Sequence, residues 1–273
     1  MARRLPDVRA RSYLWQRQSI KIPANFLSAL FTNMFEFKMR NNNTVYQLRQ
    51  QRLARSTRPF QARGCRVQRC LHCLLPQKSC LCETISPVTA TSRFCLIMFD
   101  TEPMKPSNTG KLIADILTDT HAFLWSRTEP DQRMLEVLRD PTRQPYLIFP
   151  ESYATPPRTV YQQLPDNQKA PLFIILDGTW PEARKMFRKS PYLDGIPLLS
   201  INNCAKMDYL LRIPSRKEQH CTAEVAAAAL ELANDLDASQ TLLRHFNHFR
   251  EQYLAGKPHR QEESITVILD NPR

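Results

Sequence analysis

The sequence of 273 residues predicts an α/β protein built on a largely parallel β-sheet. Beyond about residue 90, short apolar runs alternate with stretches of helical pattern, which is typical of strands joined by crossover helices. The chain has only 5 glycines and lacks both G-x-G-x-x-G and G-x-x-x-x-G-K-[ST]. We therefore exclude a standard Rossmann or Walker nucleotide site, and a ligand pocket must be built from other loops.

The individual elements follow from the pattern of apolar residues. Five runs are predicted as strands, at 93–99, 121–125, 146–149, 172–176 and 196–201. Helices are expected at 107–117, 131–139, 181–187, 222–236 and 238–255. The fourth of these helices is rich in alanine, which favours helix formation and close packing. No run approaches the roughly 18 apolar residues of a membrane span, so we expect a soluble protein and no membrane partner.

The charge of the chain is concentrated in its first third. The net charge is +12, from 38 basic and 26 acidic residues. Residues 1–82 contain 16 Lys/Arg and only two acidic residues, whereas residues 83–273 are close to neutral. A strongly basic segment favours a polyanionic partner, of which nucleic acid is the simplest. The alternative is a solvated basic tail that binds nothing.

Composition divides the chain into four parts. Residues 1–43 are an Arg-rich and then apolar extension, 44–90 a basic helix and a cysteine block, 91–256 the α/β domain, and 257–273 a tail. The first 38 residues share their composition with mitochondrial presequences, but we favour a poorly ordered extension. Met39 is a candidate for the natural start, in which case residues 1–38 are not native.

Four cysteines have the spacing Cys70-x-x-Cys73-x6-Cys80-x-Cys82. Thiolates this close in sequence can converge on one tetrahedral Zn²⁺, and we predict a structural zinc site. The alternatives are a disulfide pair or a redox C-x-x-C motif. No secretory signal peptide is visible, which argues against disulfides and favours the cytoplasm. Pro76 and the second tight pair favour a loop held by metal over a redox motif.

Residues 44–62 are predicted to form a short basic helix that Thr44 caps and Pro59 ends. Its arginines recur every third residue and form a slowly winding stripe, suited to a phosphate backbone. They are Arg49, Arg52, Arg55 and Arg58. The alternative is a solvated charged face.

The most informative segment follows the fourth predicted strand, where Asp177 directly succeeds four apolar residues. Ligands of open parallel sheets bind beyond the carboxyl ends of the strands, so this acid is placed where its protonation can be tuned. Trp180 offers a flat face for a base. The alternative role is capping, with Asp177 or Thr179 as the N-cap and Pro181 at the first helical position. The next helix carries a basic face suited to RNA: Arg184, Lys185, Arg188 and Lys189.

These segments carry a resemblance to a known family. The tetrapeptide at 177–180 fits the D-x-T-W signature, and LDGTWPEARKMFRKSPYL resembles the DTW-domain family, in particular its bacterial members, the tRNA-uridine aminocarboxypropyltransferases. The blocks CLHCLLPQKSCLC, FDTEPMKPSNTGKLIADIL and YLLRIPSRKEQHCTAEVA resemble that family in the same order, so the resemblance covers about residues 44–256. Residues 1–38 have no counterpart. Cys221 stands where a small hydroxyl residue is equally natural, so we expect no catalytic thiol there.

The resemblance implies a fold and a reaction. The fold is similar to the SPOUT class of knotted α/β proteins, with the cofactor held by loops near the knot. The reaction transfers the 3-amino-3-carboxypropyl group of S-adenosylmethionine to N3 of a tRNA uridine, giving acp3U and 5′-methylthioadenosine; in bacterial members the uridine is at position 47 of the variable loop. Two rival hypotheses remain, a SPOUT-like RNA methyltransferase and a non-catalytic zinc protein that binds RNA.

Physical requirements assign roles to residues under this hypothesis. Uridine N3 carries a weakly acidic proton, so a carboxylate can act as general base. Asp177 is the first candidate and Glu224 the second, while Asp177 could instead only bind or orient substrate. The carboxylate of the amino acid needs cationic or N–H donors, for which Arg212, Asn108 and Thr109 are candidates. The other residues expected around the cofactor are Gly178, Thr179, Trp180 and Thr222.

Overall fold

The computed structural model describes residues 43–57, 67–154, 158–166, 169–201 and 221–256. Its centre is a six-stranded sheet with every neighbouring pair parallel, in the order β2-β1-β5-β3-β6-β4. The strands are β1 Arg93–Met98, β2 Thr120–Leu124, β3 Arg143–Ile148, β4 Val160–Tyr161, β5 Ala170–Asp177 and β6 Leu198–Leu199. The predicted α/β class with a parallel sheet is confirmed.

Six α-helices flank the sheet in the described part of the chain. They are α1 Thr44–Ala54, α2 Gly110–Ile116, α3 Gln132–Leu138, α4 Trp180–Arg188, α5 Thr222–Leu232 and α6 Leu236–Ala255. None of the helices in this part is long and apolar enough to cross a membrane.

Both faces of the sheet are buried, as parallel sheets require. Side chains of β1 alternate between two clusters: Phe94 and Leu96 belong to one, and Cys95 and Ile97 to the other. Helices α1, α2, α5 and α6 and the cysteine block contribute to the first cluster. Helices α3 and α4 contribute to the second. The continuous apolar runs of the sequence are therefore strands that are covered on both sides.

The register of the two central strands brings polar loops together. Met98, the last residue of β1, pairs with Asp177, the last residue of β5. The Phe99 N–H then donates to the Asp177 carbonyl at 2.9 Å. The loop that follows β1 and the loop that follows β5 thus leave the same edge of the sheet side by side.

The sequence located five of the six strands, with shifted ends. It missed β4, a strand of two residues at the edge of the sheet, because so short an element has no periodic pattern. The predicted strand 196–201 contracts to Leu198–Leu199. The third strand extends backward to Arg143. The predicted knot stays a prediction.

Helix α1 corrects the predicted helix 44–62. It ends at Ala54, and residues 58–66 lie outside the described part of the chain. Its N-cap is Asn43, whose side-chain oxygen accepts from the Tyr46 N–H at 2.8 Å. Thr44 does not cap the helix, since its hydroxyl donates to the Thr120 carbonyl at 2.8 Å. That bond attaches the helix to edge strand β2.

Besides those of α1, three helix boundaries differ by two or more residues from the sequence prediction. Helix α2 starts at Gly110 and not at Ser107, because residues 102–104 form a 3₁₀ turn ahead of it. The break between α5 and α6 falls earlier than predicted, and Leu236 already belongs to α6. Asn234 has a φ of 62°, the left-handed conformation that ends helices and that Asn tolerates.

Candidate functional site

The Asp177 side chain is enclosed at the carboxyl end of β5, with 3% of the residue exposed. Its Oδ2 accepts from Asn108 Nδ2 at 2.7 Å, and its Oδ1 accepts from the Thr222 hydroxyl at 2.5 Å. The predicted residues Asn108 and Thr222 are therefore brought together with Asp177, although 69 and 45 positions separate them in sequence. These two hydrogen bonds use one acceptor position on each carboxylate oxygen.

Gly110 allows this approach. A Cβ at that position would lie 2.6 Å from Asp177 Oδ2, so any other residue would displace the carboxylate. The side-chain Oδ1 of Asn108 accepts from the Lys111 N–H at 3.0 Å, which turns the side-chain NH₂ toward Asp177. Gly110 and Asn108 thus have distinct structural roles beside one carboxylate.

Two further charged groups complete this site, and the sequence analysis did not select them. Asn108 Nδ2 also donates to Glu102 Oε1 at 3.1 Å, and Lys105 Nζ donates to Glu102 Oε2 at 2.5 Å. Glu102 is buried, while the Lys105 side chain is 30% exposed. One amide therefore holds two carboxylates, and a lysine partly neutralises them. The only sequence signal was their spacing of three within the segment FDTEPMKPSNTGKLIADIL, which carries part of the family resemblance.

The environment changes the acidity of Asp177. Burial, followed by repulsion from Glu102, raises the pKa of Asp177 to about 6, against the lowering effect of its bonds to Thr222 and Asn108. Lys105 also acts to lower it. A carboxyl group with this pKa can accept and release a proton near neutral pH.

The segment after Asp177 forms the cap of α4. Glu182 Oε2 accepts from the Thr179 N–H at 2.8 Å and from the Thr179 hydroxyl at 2.7 Å. Thr179 is the N-cap and helix α4 begins at Trp180, so Pro181 holds the second helical position and not the first. Asp177 is not the cap, which leaves its carboxylate to the site. Gly178 packs closely, since an added Cβ would lie 3.3 Å from the Phe99 Cβ.

Trp180 is part of an aromatic group that the sequence did not reveal. Its ring is stacked on Phe149 with centroids 5.4 Å apart, and it meets Tyr153 edge-on at 5.6 Å. Phe149 is stacked in turn on Phe187. Trp180 is 39% exposed, whereas Phe149 is buried. A fixed aromatic face is therefore accessible beside the loop that follows β5.

The basic face predicted on α4 is present at the surface. Lys185, Arg188 and Lys189 are exposed, and Arg184 is half-buried. The Lys185 ammonium lies 5.7 Å from the Trp125 ring centroid and 5.8 Å from that of Phe99. These cations start one turn beyond Trp180 on the same helix.

Glu224 and Cys221 have structural partners. Glu224 Oε2 accepts from the Cys221 N–H at 2.8 Å and so caps α5. Burial raises the pKa of the Cys221 thiol to about 12, which agrees with the expectation that it is not catalytic. Thr109 Oγ1 accepts from the Ala223 N–H at 3.4 Å and joins the loop before α2 to α5. Arg212 lies outside the described residues.

The four predicted zinc ligands converge. The sulfur atoms of Cys70, Cys73, Cys80 and Cys82 all lie within 4.8 Å of one another. The Cys70–Cys82 and Cys73–Cys80 sulfur pairs are 3.5 and 3.9 Å apart, and all four residues are free thiols. Tetrahedral zinc with Zn–S bonds of about 2.3 Å requires sulfurs about 3.8 Å apart. The cluster therefore fits a zinc ion, and the disulfide alternative finds no support.

Buried cations lie beside this cysteine block. Lys111 Nζ donates to the Cys73 carbonyl at 2.7 Å and to the Pro106 carbonyl at 3.1 Å. The Arg49 guanidinium donates to the His72 carbonyl at 3.4 Å and lies over the Tyr46 ring. Because Lys111 directly follows Gly110 at the start of α2, the cysteine block and the Asp177 site share one helix.

The predicted arginine stripe on α1 is wrong for its first member. Arg49 is only 5% exposed, because the helix turns that face toward the cysteine block and α2. Arg52 forms a bidentate pair with Asp100, at 2.6 and 2.8 Å. Arg55 is exposed, and Arg58 lies outside the described residues. Of the three arginines described, only Arg55 is both exposed and outside these contacts.

Fold and site together define a class: a parallel α/β protein with an enclosed carboxylate at the carboxyl edge of its sheet and a cluster of four cysteines that could hold a metal ion. A family model identifies the family within that class. The family model for the DTW domain matches residues 67–254, so the chain belongs to the DTW-domain family.

Two relatives are named tRNA-uridine aminocarboxypropyltransferase 2. The one from Mus musculus is 27% identical over 183 residues, which cover 64% of this chain and 60% of the relative. The one from Drosophila melanogaster is 24% identical over 188 residues, which cover 66% of this chain and 72% of the relative. The match thus spans less than two thirds of the mouse protein. No solved structure matches the chain.

Proposed function

We propose that this chain transfers the 3-amino-3-carboxypropyl group of S-adenosylmethionine to N3 of a tRNA uridine, at position 47 of the variable loop, in the cytoplasm. The observation that carries the proposal is the enclosed Asp177 with a pKa near 6 at the carboxyl edge of the sheet. Its support is membership in a family whose relatives are named for this transfer.

The transfer needs a general base and an alignment of the attacking nitrogen with the Cγ carbon and the leaving sulfur. Uridine N3 attacks the Cγ carbon of the methionine moiety, and the N3–Cγ bond forms as the Cγ–S bond breaks. The electron pair stays on sulfur, which leaves neutral 5′-methylthioadenosine. The N3 proton passes to the Asp177 carboxylate and from there to solvent. Asn108 and Thr222 hold that carboxylate in one orientation, so most of the acceleration comes from alignment.

Asp177 is favoured over Glu224 as the base. Glu224 uses a carboxylate oxygen to cap α5, so its orientation is set by the helix. Asp177 is the group whose pKa is raised toward neutrality, which is the property a general base requires at physiological pH.

RNA is proposed to approach across α4. Trp180 offers an exposed face on which a base can stack, and the four basic residues on and directly after α4 can contact phosphates next to it: Arg184, Lys185, Arg188 and Lys189. Arg55 adds a cation on α1. Contacts of this kind position an RNA by its backbone and shape, and they leave selection of the uridine to the site itself.

Zinc is proposed as a structural ion held by the four cysteines. It supplies no step of the reaction; it cross-links residues 70–82. Four thiolates around Zn²⁺ would carry a net charge of −2, which the buried cations Arg49 and Lys111 offset only in part, because the buried carboxylate of Asp115 lies beside them. An inward-facing arginine is electrostatically favourable beside this negative charge.

The by-product tests the proposal most simply. Purified protein is incubated with S-adenosylmethionine and unmodified tRNA transcript, and the nucleosides released from the cofactor are identified by mass spectrometry. We expect 5′-methylthioadenosine. S-adenosylhomocysteine would indicate the methyltransferase, and unchanged cofactor with bound tRNA would indicate a non-catalytic RNA-binding protein.

A further inference from the structure

A Glu–Lys pair beside Asp177 has no assigned role in the transfer. Glu102 lies in the 3₁₀ turn Glu102–Met104 after β1, and Lys105 directly follows that turn. The two side chains contact each other at 2.5 Å, and Asn108 joins Glu102 to Asp177. Glu182 also lies near the lysine, with its Oε2 4.0 Å from Lys105 Nζ, and Asp177 is close enough for Lys105 to lower its pKa.

The geometry points to a binding site for a zwitterion. We propose that Lys105 binds the α-carboxylate and Glu102 the α-ammonium of the amino-acid end of S-adenosylmethionine. This inference rests on the proposed function and assigns the subsite for the transferred group. An α-amino acid carries opposite charges two bonds apart, and the pair presents opposite charges in contact.

An ion pair with a purely structural role is the weaker explanation. The lysine side of this pair is open to solvent, which screens the pair and limits what it contributes to stability. Here Glu102 is buried and has a second donor in Asn108, so its position does not depend on Lys105. The lysine side chain remains 30% exposed, so its ammonium can exchange the glutamate for a ligand carboxylate. A fixed acid beside a movable cation suits a ligand that brings both charges.

The pair also explains which carbon is attacked. The sulfonium of S-adenosylmethionine has three carbon substituents, and alignment selects one of them. Anchoring both charged groups of the amino acid next to Asp177 brings the Cγ carbon close to the uridine that accepts the transferred group. The subsite is therefore a specificity device for aminocarboxypropyl transfer.

Three ligands and two variants test this assignment. Binding is measured by calorimetry for S-adenosylmethionine, for its decarboxylated analogue, which keeps the ammonium, and for 5′-methylthioadenosine, which lacks both charges. Lys105→Met should weaken the binding of S-adenosylmethionine about tenfold or more and leave the binding of the other two ligands unchanged. Glu102→Gln should weaken S-adenosylmethionine and the decarboxylated analogue, and leave 5′-methylthioadenosine unchanged.

Matched controls are Lys169→Met before β5 and Glu251→Gln on α6, which remove the same charges from exposed positions. Unchanged binding of 5′-methylthioadenosine shows that each variant is folded. The assignment is overturned if either variant weakens all three ligands equally or none of them, while the wild type binds them. If the wild type binds neither S-adenosylmethionine nor 5′-methylthioadenosine, the proposed function fails, and the subsite with it.

Discussion

Asn108 Nδ2 lies 2.7 Å from Asp177 Oδ2, and this hydrogen bond joins the loop after β1 to the end of β5. Parallel pairing of these two strands places both loops at one edge of the sheet, and Gly110 removes the side chain that would keep them apart. The same asparagine contacts Glu102, so one amide orders the acids of the site. Most of the expected effects of substitution follow from this arrangement.

Gly110→Ala should abolish most of the activity. The added Cβ would lie 2.6 Å from Asp177 Oδ2, so the carboxylate must move away from Asn108. A displacement of this size is expected to lower kcat about a hundredfold, measured by tRNA modification at saturating substrates. Gly195→Ala is the control, because a Cβ there meets no atom within 4 Å. Equal activity of the two variants would contradict the close approach.

The rate should depend on pH through Asp177. A base must be ionised, so kcat should rise with pH, reach half of its maximum near pH 6 and level off about one pH unit above that. Glu102 raises the pKa of Asp177, and Glu102→Gln should therefore shift the rise to lower pH. The measurement is kcat against pH at saturating S-adenosylmethionine, with Glu251→Gln as control. An unshifted profile would mean that another group controls the rate.

Replacing Cys70 and Cys73 by Ser should release the metal and destabilise the chain. Zinc then loses two of its four thiolate ligands, and the block that contributes Leu75 and Leu81 to the core is no longer cross-linked. Metal analysis and thermal melting measure the two effects. Cys95→Ser, in the buried strand β1, should keep the metal. Wild-type protein without zinc would end this hypothesis.

Two arginines of α1 should have separable effects. Arg49 is buried beside the cysteine block, so Arg49→Gln should speed zinc loss to a chelator and leave tRNA affinity unchanged. Arg55 is exposed, so Arg55→Gln should weaken tRNA binding and leave zinc release unchanged. The slope of log affinity against log salt concentration should become about one unit less steep. The opposite pattern would restore the arginine stripe that the sequence predicted.

The sequence was most informative where a residue type and a spacing define the chemistry. Cysteine spacing sufficed for the metal cluster, since its members are close in the chain. Asp177 was identified as a site residue because an acid directly after a buried strand lies at the carboxyl edge of the sheet, where ligands of parallel sheets bind. The parallel sheet followed from apolar runs that show no alternation.

Contacts between distant segments could not be predicted. Glu102 and Lys105 join the site only because β1 pairs with β5 and a 3₁₀ turn follows β1. Phe149, which directly follows β3, supports Trp180 at the start of α4, and no local pattern records this contact. Helical spacing placed Arg49 with Arg52 and Arg55, but it could not tell which face would meet the cysteine block. Packing against α2 decides that face.

The central claim is that Asp177 serves aminocarboxypropyl transfer to a tRNA uridine. The most direct measurement is nucleoside mass spectrometry of tRNA transcript treated with S-adenosylmethionine and either wild type or Asp177→Asn. Asparagine preserves the shape and removes the base. We predict acp3U with the wild type and a loss of a hundredfold or more with the variant, at unchanged melting temperature. Equal amounts of acp3U from both proteins would contradict the account.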